Sequence, residues 1–103
     1  MDINFEFYKI FYHAAKSESF SSASRNLFIS QSAVSQSIKH LEEKLSTKLF
    51  IRKGKQMVLT SEGILLLTHV EQAYNFIKTA EHKIFEIQNM DAGEIRIGAS
   101  DTV

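Results

Sequence analysis

The stretch from Phe20 to Phe50 constrains this chain most. It reads Phe20-Ser-Ser-Ala-Ser-Arg-Asn-Leu27, breaks at Phe28-Ile29-Ser30, and resumes as Gln31-Ser-Ala-Val-Ser-Gln-Ser-Ile-Lys-His-Leu-Glu-Glu-Lys-Leu45. The apolar spacing predicts a short helix from about Ser21 to Leu27, starting on Ser21 or Ser22, then a tight turn. A longer helix follows over 31–45, with Ser30 as its cap, because a serine hydroxyl accepts a free amide of the first turn. In that second helix Val34, Ile38, Leu41 and Leu45 form one apolar stripe. Ser32, Ser35, Gln36 and Lys39 form the opposite stripe, short, polar and weakly basic. A DNA major groove accepts such a helix: short side chains let the backbone approach, and Gln and Ser hydrogen-bond base edges. An ordinary amphipathic surface helix has the same apolar stripe, so the flanking segments decide between the two.

Upstream, residues 5 to 17 carry a helical pattern with Asn4 as cap. Phe5, Tyr8, Phe11 and Ala15 share one face, widened by Phe7, Ile10 and Ala14. Downstream, Leu49-Phe50-Ile51 and Met57-Val58-Leu59 read as two short strands around the tip Arg52-Lys53-Gly54-Lys55-Gln56. Glycine suits the tight turn. Three basic residues in four positions can meet phosphates or a minor groove. Lysine and arginine also keep exposed strand edges soluble. Directly after a helix-turn-helix pattern, the groove-contacting wing is the better reading.

Thr60 then caps a long helical pattern from about Ser61 to Asn89. At about 1.5 Å per residue this spans roughly 43 Å, more than so small a domain can bury. Leu66, Val70, Ala73, Ile77, Ala80, Ile84 and Ile87 alternate spacings of four and three, a heptad seam. Leu67, Tyr74 and Phe85 broaden it, and the small Ala73 and Ala80 admit a partner helix. Self-association through this helix is expected, with its first turns, Ile64 to Leu67, packing on their own domain. Asp91-Ala92-Gly93 ends the helix, and Glu94 to Ser100 alternates as a strand without a sheet to join.

Formal net charge is zero over 103 residues, yet the charges are segregated. Up to Thr60 nine basic residues face five acidic ones, a surplus of four; from Ser61 three face seven, a deficit of four. Charge placement governs attraction to a phosphate backbone more than total charge does. The absence of cysteine excludes disulfides and thiolate metal sites, and the absence of proline suits long helices. No apolar run can span a membrane and no signal peptide is visible, so a cytoplasmic protein is expected. His13, His40, His69 and His82 lack thiol or carboxylate partners at ligand or triad spacing. No Gly-rich phosphate loop is present. Neither an enzyme nor a cofactor or metal site is expected.

These residues resemble the N-terminal part of a LysR-type transcriptional regulator. The resemblance rests on Ser19-Phe20-Ser21-x-Ala23-Ser24-x-x-Leu27, Ser30-Gln31-Ser32-Ala33-Val34-Ser35-Gln36-x-Ile38-x-x-Leu41-Glu42-x-x-Leu45, Leu49-Phe50-x-Arg52 and Leu59-Thr60-x-x-Gly63. Gly93-Glu94-Ile95-Arg96-Ile97-Gly98 is similar to the first strand of that family's regulatory domain. The resemblance implies a mainly α fold: a winged helix-turn-helix, with a three-helix core and a two-stranded β-wing, followed by a long dimerising linker helix. The divisions are then 1–60 for DNA binding, 61–90 for the linker helix, and 91–103 for the start of an effector-binding domain that is missing. It also implies DNA contacts from Gln31, Ser32, Ser35, Gln36 and Lys39, from the wing residues Arg52, Lys53 and Lys55, and from Ser21 and Ser22 toward phosphates. Three positions depart from the common pattern. Ser32 replaces a frequent Pro and adds a hydroxyl; Gln36 replaces a frequent Arg, favouring adenine over guanine; Ser46 replaces a frequent Gly.

The expected function is sequence-specific binding of double-stranded DNA by a homodimer, on an inverted repeat with half-sites roughly one helical turn apart. Without an effector domain no small-molecule effector is expected; with the full-length domain the family resemblance allows a tetramer. The alternative is a winged-helix module used only for protein contact, which has no need of a basic wing beside a Ser/Gln-rich helix face.

Overall fold

The computed structural model describes residues 2–17 and 19–92, and the strand expected within 94–100 lies outside them. Four helices and one hairpin follow in the order α1 (Phe5–Lys16), α2 (Phe20–Leu27), α3 (Gln31–Leu45), β1 (Phe50–Lys53), β2 (Gln56–Leu59) and α4 (Ser61–Ala92). The expected winged helix-turn-helix is the observed architecture. The chain divides into two compact units, one through Glu71 and one from Gln72. The first unit therefore includes the first turns of α4.

Each helix start carries a side-chain cap. Asn4 Oδ1 accepts the Glu6 amide at 2.8 Å, and Ser30 Oγ accepts the Ala33 amide at 3.0 Å. Helix α2 starts one residue earlier than expected, and its cap is Ser19, whose Oγ accepts the Ser22 amide at 3.0 Å. Three nearby serines can all cap, and the extended backbone of Ser19 makes it the one outside the helix.

The two helices of the central motif end alike. Phe28 and Ser46 take left-handed backbone at φ 60 and 56. The Ile29 amide donates to Ser24 O at 3.1 Å and the Thr47 amide to Glu42 O at 3.1 Å. These are Schellman closures, usually made with Gly at the left-handed position. Here two residues with side chains occupy it, and Phe28 stands 93% exposed.

The core joins Ile10, Phe11 and Ala14 of α1, Ala23 of α2, Val34, Ile38 and Leu41 of α3, and Leu49 and Phe50 at the wing base. Phe50 makes T-shaped contacts with two rings, its centroid 5.8 Å from that of Phe11 and 5.1 Å from that of Phe20. Of the broad face expected on α1, Ile10, Phe11 and Ala14 are buried, Phe7, Tyr8 and Ala15 are half-buried, and Phe5 is exposed. Packing of α1 against α2 and α3 decides which members of that face are covered. Ser24 is buried, and its hydroxyl donates to Ser21 O at 2.7 Å, so its polar atom is satisfied.

In the wing Arg52 pairs with Met57 and Lys53 with Gln56 across a two-residue loop, tighter than the five-residue tip expected. Gly54 at φ 61 supplies the left-handed residue such a loop needs. Thr60 ties the hairpin to α4. Its amide donates to Leu49 O at 2.9 Å, and its hydroxyl donates to Lys48 O at 2.7 Å while accepting the Gly63 amide at 2.9 Å. A Cβ on Gly63 would lie 2.3 Å from Leu49 O, so only glycine fits there.

Helix α4 runs three residues past the expected end at Asn89. Within the first unit Leu66 is half-buried and Val70 buried, while Ile64 is exposed. The first two positions of the expected seam are thus used by the chain's own packing. In the second unit Ala73, Ile77, Ala80, Ile84 and Ile87 are all exposed, together with Phe76 and Phe85.

Candidate nucleic-acid interface

Helix α3 turns its apolar stripe inward: Val34 and Leu41 are buried completely, Ile38 nearly so, and Leu45 is half-buried. That fixes its rotation and leaves Gln31, Ser32, Ser35, Gln36 and Lys39 exposed. Between this face and the wing runs a cleft of about 790 Å³. Of the expected contact residues it is lined by Ser21, Gln31, Ser35, Lys39, Arg52 and Lys55. Three separate segments of sequence, from α2, α3 and the hairpin, thereby meet around one concavity.

The remaining expected residues lie elsewhere. Gln36 and Ser32 are exposed on α3 but off the cleft lining, and Lys53 is exposed on β1. Ser22 is half-buried, with its amide taken by Ser19. The Ser32 hydroxyl lies 3.2 Å from the Ser30 hydroxyl, so the group added at this position is drawn toward the helix cap.

Ser19, Lys48, Gln56 and Met57, which the sequence pattern does not mark as DNA contacts, also line the cleft. Lys48 sits in the break after α3, and Gln56 and Met57 open the returning strand. Arg25 Nη1 donates to Ser21 Oγ at 3.1 Å, which places an exposed guanidinium beside an expected phosphate contact. Its i, i+4 spacing from Ser21 on the short helix was the available signal. Lys39, Lys48, Arg52 and Lys55 against Glu42 give the cleft a surplus of three positive charges. A cleft of one sign with low-dielectric walls concentrates its field on an approaching anion.

The histidines do not form a site. His40 packs its ring 4.8 Å from that of Phe7, and His69 Nδ1 lies 3.0 Å from Leu65 O. His82 Nε2 lies 3.6 Å from Glu86, an exposed pair one helical turn apart. Among the described residues no group of His, Cys, Asp and Glu could hold a metal ion. No described helix is long and apolar enough to cross a membrane.

Residues 5–64 match the sequence profile described as "Bacterial regulatory helix-turn-helix protein, lysR family". The chain is 38% identical over 88 residues to a probable RuBisCO transcriptional regulator of Synechocystis, covering 85% of this chain and 26% of that protein. It spans about a quarter of the length of the curated relatives it matches. Among solved structures, CrgA, a LysR-type regulator from Neisseria meningitidis, superposes with a TM-score of 0.71 at 32% identity, over 84% of this chain and 30% of that one. Vibrio fischeri DarR, solved in complex with DNA, gives 0.71 at 27% identity, over 87% of this chain and 31% of its own. With the profile covering more than half its residues and the fold matching those regulators, this chain belongs to the lysR family of bacterial regulatory helix-turn-helix proteins, a family of DNA-binding transcriptional regulators.

Proposed function

We propose that the chain reads double-stranded DNA as a dimer, each copy placing residues 31 to 39 in a major groove and its wing against the neighbouring minor groove. The observation that carries this reading is the cleft, where an uncharged-to-basic helix face and a basic hairpin converge from distant parts of the sequence. Gln31, Ser32, Ser35 and Gln36 are base readers; Lys39, Arg52, Lys53 and Lys55 are phosphate or minor-groove anchors, and Ser21 and Ser22 phosphate contacts. The exposed seam from Ala73 to Ile87 pairs two copies. Two-fold symmetry then calls for an inverted repeat with half-sites roughly one helical turn apart.

Readers and anchors behave differently. Gln36→Ala should cost about 1–3 kcal/mol and relax base choice at one position, if its contact is bidentate. Lys55→Ala should weaken all sequences alike and make the salt slope shallower by about one. Titrations of a panel of duplexes at several salt concentrations separate the two. Equal losses on every sequence for both variants would contradict the division into reader and anchor.

A further inference from the structure

Glu42 is an acid in a basic cleft. It lies on the same face of α3 as Ser35 and Lys39, at positions i, i+4 and i+7, and it lines the cleft with Lys48, Arg52 and Lys55. A carboxylate there opposes an incoming phosphate, so its presence needs an explanation. Its side chain is only 11% exposed. One oxygen, Oε2, accepts two backbone bonds, from the Leu49 amide at 2.8 Å and the Phe50 amide at 3.2 Å. The other oxygen faces Lys48 Nζ at 3.8 Å. Leu49 and Phe50 are the root of the wing. From the other side, Leu49 O accepts the Thr60 amide. The hairpin root is therefore gripped at both edges, by the reader helix through Glu42 and by the α4 start through Thr60.

The geometry points to Glu42 as a positioning residue that sets the wing against the reader helix, so that both engage one stretch of duplex. This inference rests on the DNA-binding reading above. Two roles for Glu42 predict opposite signs. A mere anion in the cleft would, on removal, tighten binding to a polyanion and steepen the salt slope. A clamp would, on removal, release the wing and take its cations out of register, weakening binding and making the slope shallower.

Because both amides share one oxygen, a single carbonyl can replace it. Glu42→Gln keeps the acceptor and removes the charge. Glu42→Ala and Glu42→Met remove the acceptor, and methionine keeps the length of the stem. The test is duplex binding by the full chain across a salt series, with thermal melting of each variant. Glu42→Gln should bind at least as tightly as the parent. Glu42→Ala and Glu42→Met should bind more weakly, with slopes shallower by about two. In a background of Arg52→Ala, Lys53→Ala and Lys55→Ala together, Glu42→Ala should cost nothing further, since the clamp acts only through those cations.

Tighter binding by the alanine variant, an unchanged slope, or a loss that simply adds to that of the wing substitutions would each overturn the inference. So would loss of the melting transition in both acceptor-less variants, which would make Glu42 a folding residue. A parent chain that binds no duplex would remove the DNA reading, and the clamp's role with it. A binding parent with an unaffected alanine variant would remove the clamp alone.

Discussion

The two units of the chain solve opposite problems. Through Glu71 the polypeptide is closed on itself: Phe11, Leu41, Leu49 and Val34 are fully buried, and each helix start has a capping hydroxyl or amide oxygen. From Gln72 onward one helix keeps a heptad of apolar side chains in the open, with Ile77, Ile84 and Ile87 more than half exposed. A self-sufficient core lets the first unit hold a polar face rigidly toward a ligand. An apolar stripe without cover has no such purpose in a single copy, and the proposed pairing with a second copy would bury it. The first unit covers its own apolar face, and the second leaves its apolar stripe in the open.

The comparison can be broken first at the core. Phe11→Ala removes the ring at the junction of α1 with Phe50 and should destabilise the first unit by about 3–5 kcal/mol, read by denaturant melting. A change that is much smaller would mean the core collapses around the loss. Ile77→Asp tests the other half. It should abolish the dimer in sedimentation while leaving the denaturant midpoint of the first unit in place. An intact dimer would refute the seam, and a lowered midpoint would show that the units are not separately stabilised.

A smaller effect sharpens the account of the first unit. Ser46→Gly relieves a left-handed position at φ 56 and should raise stability by about 0.5–1 kcal/mol. Base preference in duplex binding should not change. The smallest effect concerns His13. Burial, and then the charge of Lys9, hold its pKa below the ordinary 6.5. As pH falls the unfolded chain binds the proton first, so His13 contributes stability above 6.5 that is lost as pH drops below it. His13→Gln should flatten this acid-side decline in a series of denaturant melts across pH.

What was legible in the sequence was local. The apolar stripe of α3 and the Ser30 cap follow from spacing within one helix, and both stand in the structure. The choice of Ser19 over Ser21 as the cap of α2 was not legible, since all three serines have the chemistry and only the path of the chain selects one. The face of α1 likewise depends on its neighbours. Val70 fits the heptad as well as Ile77 does, and only the fold assigns it to the core. The clamp at Glu42 spans seven and eight residues and ends on backbone amides, which carry no sequence signal. In a charge count it is merely one acid among five. The cleft residues were legible one by one; their convergence, and the share of Lys48 and Gln56 in it, required three dimensions.

The measurement that meets the central claim most directly is selection of the full chain on a randomised duplex library at two salt concentrations, followed by sequencing. The account predicts an enriched inverted repeat, with half-sites about one helical turn apart, whose advantage survives the higher salt. Retention with no enriched motif would reduce the cleft to an electrostatic attractor, and no retention even at low salt would contradict the account and leave a winged helix built for protein contact.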